Sequence, residues 1–219
     1  MATIEGVEVT VDAEAVVVIA AAPLTVLSSA VAGGGLGRAR SIVNLHVDRG
    51  CPWQEAEARL DPFAARRRLP APWVGLLTAA WTERAEVAAE SAGGIHALVV
   101  ATVGLGNAVA AGWSAAAPAE PGTINTVVVV DARVESAALV NLALTVTEVK
   151  ALVLAEAGVR SPDGRLAGGT STDAVVIATT ERGAAARFGG PISEAGWVVA
   201  RAVRTALTAG VRRWMEARG

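Results

Sequence analysis

Polar and apolar residues alternate over positions 7 to 11, Val-Glu-Val-Thr-Val, and the chain then runs apolar through Ala15 to Ala20. A period of two followed by a β-branched run predicts paired strands turning at Asp12 to Glu14. Leu24 to Ser28 and Arg40 to Val47 read as further short strands. Pro52 opens a predicted helix that runs to about Ala65, with Glu55, Glu57 and Arg59 on its exposed side. Val74 to Thr78 and Ile95 to Val103 are again strands, the second without polar alternation and therefore buried on both faces. Thr123 to Asp131, Thr-Ile-Asn-Thr-Val-Val-Val-Val-Asp, has the densest β-branched content and belongs at the centre of a sheet.

Glu135 or Ser136 starts a long helix that reaches about Ala157 and stops at Gly158. Asn141, Thr145 and Glu148 form its polar stripe, and the other positions are so apolar that burial nearly all round is expected. A turn over Ser161 to Gly169 leads into a strand from Thr172 to Thr179, and Pro191 to Arg218 supplies a C-terminal helix. Strands mixed with helices over a buried sheet give an α/β (α+β) class. One domain over residues 1 to 219 is expected, with a mixed sheet core and flanking helices that fit an αββα sandwich.

Composition narrows the setting. The apolar share is 53%, yet the two long uncharged stretches, Ala15 to Gly37 and Ala97 to Ala119, are broken by Gly, Pro, Ser, Thr or Asn, unlike a spanning helix. Glu5, Glu8, Asp12 and Glu14 precede the first basic residue, Arg38, which is the reverse of a signal peptide and points to a cytoplasmic protein. A net charge of −2 with scattered arginines gives no nucleic-acid footprint. The triplet Arg66 to Arg68 suits a solvated helix end. Oligomeric state is left open, and a homo-oligomer is compatible with the composition.

The inventory of reactive groups is short. Cys51 is the single cysteine, which removes intrachain disulfides and Cys-based zinc sites. His46 and His96 lack partners at metal-ligand spacing, so no metal site is expected. His46 shares a strand face with Asn44, and His96 reads as a structural residue. Lys150 is the only lysine and follows Glu148 on the apolar helix, where desolvation would favour a base. The six tryptophans offer apolar walls for a macrocycle, although as scattered core residues they would need no such role.

Several segments occur in an ordered series: Leu27 to Gly35 (Leu-Ser-Ser-Ala-Val-Ala-Gly-Gly-Gly), Ile42-Val43-Asn44, Val74 to Ala80, Val103 to Ala108, Gly122 to Asn125, Glu135 to Asn141, Thr147 to Lys150 and Gly169 to Ala174. This series resembles the adenosylcobinamide amidohydrolases, with departures at Gly104 and at Cys51-Pro52-Trp53. The resemblance implies hydrolysis of the amide that joins the aminopropanol arm to the corrin ring, a step of cobamide salvage. It implies a corrinoid substrate and no cofactor, cobalt belonging to the substrate.

Amide hydrolysis needs a nucleophile or activated water, a proton shuttle and donors for the oxyanion. Thr123, after Gly122 at the head of the strongest strand, is the leading nucleophile. Gly-Thr-Ile, a β-branched strand, a buried helix and then Gly169 to Asp173 also resemble ornithine acetyltransferases and DmpA-type aminopeptidases. In those proteins the residue at this strand head becomes an N-terminal nucleophile after self-cleavage. Lys150, Glu148 and Asp173 complete the catalytic candidates.

Ser28, Ser29 and Gly34 present a loop able to offer N–H groups, and Thr78 and Asn107 are candidate oxyanion donors. Asn44, Asn125, Asn141, Thr170 and Thr172 are the remaining substrate-binding candidates. Two rivals stand against the hydrolase. A nucleotide-binding oxidoreductase is suggested by Gly104-Leu105-Gly106 after a strand, but its fingerprint fails at Val109. A non-catalytic corrinoid-binding module would bind without turnover, and no Asp-x-His-x-x-Gly motif is present to ligate cobalt.

Overall fold

The structure, a computed structural model, describes residues 3–51, 55–117 and 123–217. Among them the strands and helices follow in the order β1 (Val7–Val11), β2 (Ala15–Ser28), β3 (Gly35–His46), α1 (Ala56–Arg67), β4 (Trp73–Thr78), β5 (Glu86–Ala92), β6 (Ile95–Val103), β7 (Ala108–Val109), β8 (Ile124–Asp131), β9 (Arg133–Val134), α2 (Ser136–Glu156), β10 (Gly169–Thr170), β11 (Ala174–Thr179), β12 (Ala185–Ala186) and α3 (Glu194–Glu216). Eight of these strands form one mixed sheet in the order β4-β3-β2-β11-β8-β6-β5, with β1 paired to β2. The β3–β4 and β8–β11 pairs are parallel and the other pairs antiparallel.

The long strands β2 and β3 make the sheet fold over on itself. Their register shifts between Ile19 and Leu24, around Pro23, which has no N–H to give the ladder. Side-chain alternation then fills three apolar layers. Ile124, Val128 and Val130 of β8 face α2 and α3, meeting Leu139, Leu142, Val198 and Leu207. Val127 and Val129 face the other way, onto Val18, Ile42, Val74 and Leu76 of the folded-over half. Val17, Val43 and Leu45 line the far side of that half and pack on Leu60 and Phe63 of α1. The result is helix, sheet, sheet, helix, a mixed α/β fold whose middle seam lies between two sheet halves.

β8 is interior to the sheet, flanked by β11 and β6, as its β-branched content predicts. Several local expectations are corrected. Leu24 to Ser28 is the second half of β2 rather than a separate strand, because pairing with β3 continues past the bulge. β5 was not predicted: its Ala- and Glu-rich sequence carries no strand signal, and pairing with β6 across the Gly93-Gly94 turn makes it one. α1 begins at Ala56 and continues to Arg67 with Arg68 left-handed, while Pro52 lies outside the described residues. α3 starts at Glu194, capped by the Ser193 side chain, which accepts from the Gly196 amide at 3.1 Å, a contact worth about 1 kcal/mol.

α2 ends at Glu156, with Gly158 at φ +69° just beyond, a conformation that suits glycine after a helix. The helix is long and apolar enough to cross a bilayer by length and composition. It lies in an outer layer, however, so it is not buried all round: Val140, Leu144 and Leu152 are exposed. Its polar stripe is split by the same edge, with Thr145 buried and donating to the Gly189 carbonyl at 2.9 Å while Asn141 and Glu148 are exposed.

Candidate functional site

The heads of the parallel neighbours β8 and β11 lie side by side, with Asn125 in register with Ala174. Thr123 immediately precedes β8, and Thr172 and Asp173 immediately precede β11, so residues about fifty positions apart meet at one edge. Thr123 is 1% exposed, and its hydroxyl donates towards two acceptors, the Thr172 carbonyl at 2.8 Å and Asn125 Oδ1 at 3.2 Å. Its own carbonyl accepts from the Gly104 amide at 3.0 Å. A Cβ on Gly104 would sit 3.4 Å from the Thr123 nitrogen and 3.3 Å from Ala80 Cβ, so the small residue allows a close approach there.

Asn125 begins a polar chain across the middle seam. Its Nδ2 donates to Asn44 Oδ1 at 2.8 Å and to the Leu77 carbonyl at 2.9 Å, and Asn44 Nδ2 donates to Thr102 Oγ1 at 2.9 Å. Asn44, Thr102, Asn125 and Thr123 are all at most 3% exposed, so these amides are ordered by one another in a low-dielectric layer. The directions are fixed by the donors: Asn125 uses its NH2 on Asn44 and Leu77, which leaves its Oδ1 to receive the Thr123 hydroxyl.

Asp173 organises the second half of the site. Its Oδ1 accepts from the Ile124 amide at 3.0 Å and from the Thr170 hydroxyl, and its Oδ2 accepts from the Thr170 amide at 3.0 Å and from Lys150 Nζ. The Lys150 and Asp173 side chains are only 11% and 10% exposed. Gly169 makes room for the pair, since a Cβ there would fall 2.4 Å from Asp173 Oδ2 and 2.8 Å from Lys150 Nζ. One carboxylate thereby pins the peptide that follows Thr123, the turn at Thr170 and the middle of α2.

Of the predicted residues, the structure brings together Thr123, Asn125, Asn44, Thr170, Thr172, Asp173 and Lys150. Glu148 is not among them: it lies two residues from Lys150 and therefore on the opposite side of α2, exposed. Asn141 is likewise exposed and away from the cluster. Ser28 and Ser29 serve the backbone rather than a ligand, accepting from the Ala30 amide at 2.9 Å and the Val175 amide at 3.0 Å. Gly34 packs against the Ala30 carbonyl, where a Cβ would come to 2.5 Å, so the loop is closed on itself.

Thr78 Oγ1 accepts from the Ala80 amide at 3.0 Å at the end of β4, next to the Leu77 carbonyl used by Asn125. Asn107 Nδ2 donates to Ser171 Oγ at 2.6 Å, joining the loop after β6 to the one before β11. Thr102 is the member that sequence reasoning missed. It sits in register with Asn125 across the β6–β8 pair, a relation that no local pattern announces.

A cavity of about 420 Å³ opens beside this cluster, lined by Ala79 to Trp81, Gly104, Asn107 and Trp214 among others. Trp81 is 58% exposed and stacks on His46 with ring centroids 5.2 Å apart, and His46 Nδ1 meets the Ala80 carbonyl at 2.9 Å. His46 thus acts as a brace for an aromatic wall. The tryptophans divide: Trp81, Trp113 and Trp197 are exposed, Trp73 and Trp214 are partly buried against the apolar layers, and Trp53 lies outside the described residues. His96 is exposed, its Nδ1 2.9 Å from Ser91 Oγ. Among the described residues no three His, Cys, Asp or Glu side chains gather to hold a metal ion.

A family model described as adenosylcobinamide amidohydrolase matches residues 1–219. None of the curated proteins matches the chain. Among solved structures, the PH0078 protein from Pyrococcus horikoshii OT3 is similar with a TM-score of 0.50 and 11% identity, covering 96% of this chain and 80% of that one. A beta-aminopeptidase from Burkholderia sp. is similar with a TM-score of 0.47 and 16% identity, covering 92% of this chain and 79% of that one.

Proposed function

The chain belongs to the adenosylcobinamide amidohydrolase family, which cleaves the aminopropanol arm from a corrinoid in cobamide salvage, and on that premise we propose that Thr123 is its nucleophile. The supporting observation is the company the hydroxyl keeps. Both of its acceptors, the Thr172 carbonyl and Asn125 Oδ1, are amide oxygens, which orient a hydroxyl but do not take its proton at neutral pH. Among the described residues no carboxylate, imidazole or amine bonds to it.

A base is available in one economical way. If the Gly122–Thr123 peptide bond is broken, Thr123 gains a free α-amine a few bonds from its own hydroxyl, and an α-amine titrates near pH 7.7–8.0, suited to a base at neutral pH. Self-cleavage would proceed by attack of the Thr123 hydroxyl on the Gly122 carbonyl, loss of the Thr123 nitrogen from that carbon, and hydrolysis of the resulting ester. The same hydroxyl would then attack the substrate amide: the carbon–nitrogen bond to the aminopropanol breaks, the amine leaves with a proton, and water releases the corrinoid acid from the ester.

Asn125, Asn44 and Thr102 hold the hydroxyl's direction in this scheme, while Asp173, tethered by Lys150, holds the peptide behind it. Asp173 and Lys150 are then positioning residues rather than the proton shuttle.

Intact-mass measurement of the purified protein tests the scheme. The expected result is two chains meeting at residues 122 and 123, with a Thr123→Ala variant remaining whole and failing to convert adenosylcobinamide to the cobyric acid. An uncleaved, active wild type would remove the amine from the mechanism, and an active Thr123→Ala would remove the nucleophile.

A further inference from the structure

The outer face of the helix layer is too apolar for a surface left to water. Val140, Leu144 and Leu152 are exposed on α2, and Phe188, Ile192 (96% exposed) and Trp197 are exposed just before and at the start of α3. The two sets adjoin. Gly189 lies so close to α2 that a Cβ there would come 2.4 Å from the Ala138 carbonyl, and its own carbonyl accepts from the Thr145 hydroxyl at 2.9 Å. Soluble monomers seldom leave a contiguous apolar patch of more than a few hundred Å² uncovered.

Charge divides this face in two. The exposed charges of α2 are both acidic, Glu148 and Glu156, whereas the middle of α3 presents Arg201, Arg204 and Arg212, with acids only at its ends, Glu194 and Glu216. The helices run side by side in the same direction, since Gly189 meets Thr145 and Arg204 pairs with Glu156 further along both. Trp197, seven residues before Arg204, therefore stands level with Val149, seven before Glu156, and so between Leu144 and Leu152. Arg201 lies over the Trp197 ring, 5.0 Å from its centroid, at a level between Glu148 and Glu156.

We propose that this face is a dimer interface and that its occupant is a second copy of the chain, related by a two-fold axis along the groove between α2 and α3. That axis lays each α2 on the partner's α3. The partner's Trp197 then enters between Leu144 and Leu152, and the partner's Arg201 meets Glu148 and Glu156. A two-fold axis running across the helices would instead set α3 on α3, arginine against arginine, so charge selects the first arrangement. Area agrees. Helices of 21 and 23 residues packed about 10 Å apart present on the order of 600 Å² on each copy, and two such faces reach the roughly 1,200 Å² at which stable interfaces begin. The inner side of α2 carries Lys150, which holds Asp173, so the dimer braces the helix that positions the site.

Sedimentation equilibrium of the full chain over a range of micromolar concentrations tests this, with circular dichroism to verify folding of each variant. The wild type should approach twice the chain mass of 22.1 kDa. Leu144→Glu, altered once in each copy at an exposed position, should weaken association about a hundredfold. Glu148→Arg should weaken it about tenfold by facing the partner's Arg201, and the double reversal Glu148→Arg with Arg201→Glu should recover most of that loss, which a folding defect would not do.

A wild type that stays monomeric at the highest concentration overturns the proposal. So does a dimer indifferent to both Leu144→Glu and Glu148→Arg, which would lie on another face. Flotation with vesicles of phosphatidylcholine and phosphatidylglycerol covers the other apolar occupant: a monomer that floats with them, and ceases to in Leu144→Glu, would give this face to a membrane surface and remove the dimer. Turnover of adenosylcobinamide is measured separately, since the chemistry at Thr123 does not decide association.

Discussion

Lys150 and Asp173 form a nearly buried ion pair, Nζ to Oδ2, that ties the middle of α2 to the residue before β11. The only lysine of the chain is therefore engaged with the carboxylate that also receives the Ile124 and Thr170 amides. Removing one partner of such a pair leaves the other charge desolvated. Lys150→Met is expected to cost on the order of 3 kcal/mol in a urea unfolding midpoint analysis. Adding Asp173→Asn should recover part of the loss. A Lys150→Met protein of unchanged stability and no activity would instead mark Lys150 as the proton shuttle.

Thr123→Ser keeps the hydroxyl and its two acceptors and should retain measurable turnover of adenosylcobinamide. Thr123→Ala should lose at least a thousandfold, with thermal unfolding shifted by only a few degrees. A cavity the size of one methyl and one hydroxyl is too small to explain such a loss by misfolding.

Asn44→Leu interrupts the polar chain in the middle seam and leaves a buried Asn125 N–H without its acceptor. A cost of about 1–3 kcal/mol is expected for that unsatisfied donor. The turnover number should fall while the Michaelis constant holds, because the Thr123 hydroxyl loses direction rather than substrate contact. Equal loss in both parameters would place Asn44 in contact with substrate.

Asp12 gives the fold an acid-sensitive clasp. Burial pushes its carboxyl up, but the Ala15 and Glu14 amides at 2.9 Å each and the Arg67 guanidinium at 2.8 Å outweigh this and hold it below the ordinary value of 3.8. With the folded pKa below the unfolded one, the stabilisation is complete above about pH 4 and is lost as pH falls through the folded value. Asp12→Asn should therefore melt earlier than the wild type at pH 7, with the gap closing between pH 4 and pH 2. A gap independent of pH would assign the effect to packing.

The Arg66 to Arg68 triplet shows how far local sequence reaches. Arg66 and Arg67 do close α1, but they also pair with Glu14 and Asp12 from the first turn of the chain, so the helix end is docked as well as solvated. β8, β6 and α2 were legible because period and β-branching act within a few residues. β5 was not, since an Ala- and Glu-rich segment becomes a strand only when β6 offers it a ladder. The Gly93-Gly94 pair was the one signal available for it.

The same division runs through the site. Sequence by itself determined the mixed α/β class, the central strand and the family resemblance, and it put Thr123 forward as a candidate, because each rests on residues adjacent in the chain. Tertiary structure decided the partners. Folding β2 and β3 over at Pro23 is what lays Asn44 against Asn125 and Thr102, and parallel pairing of β8 with β11 is what sets Asp173 behind Thr123. It also turned Glu148 outward while turning Lys150 in, since two residues on a helix point to opposite sides. Hydrogen bonds across such seams depend on register between distant strands, and register is a property of the assembled sheet rather than of any segment.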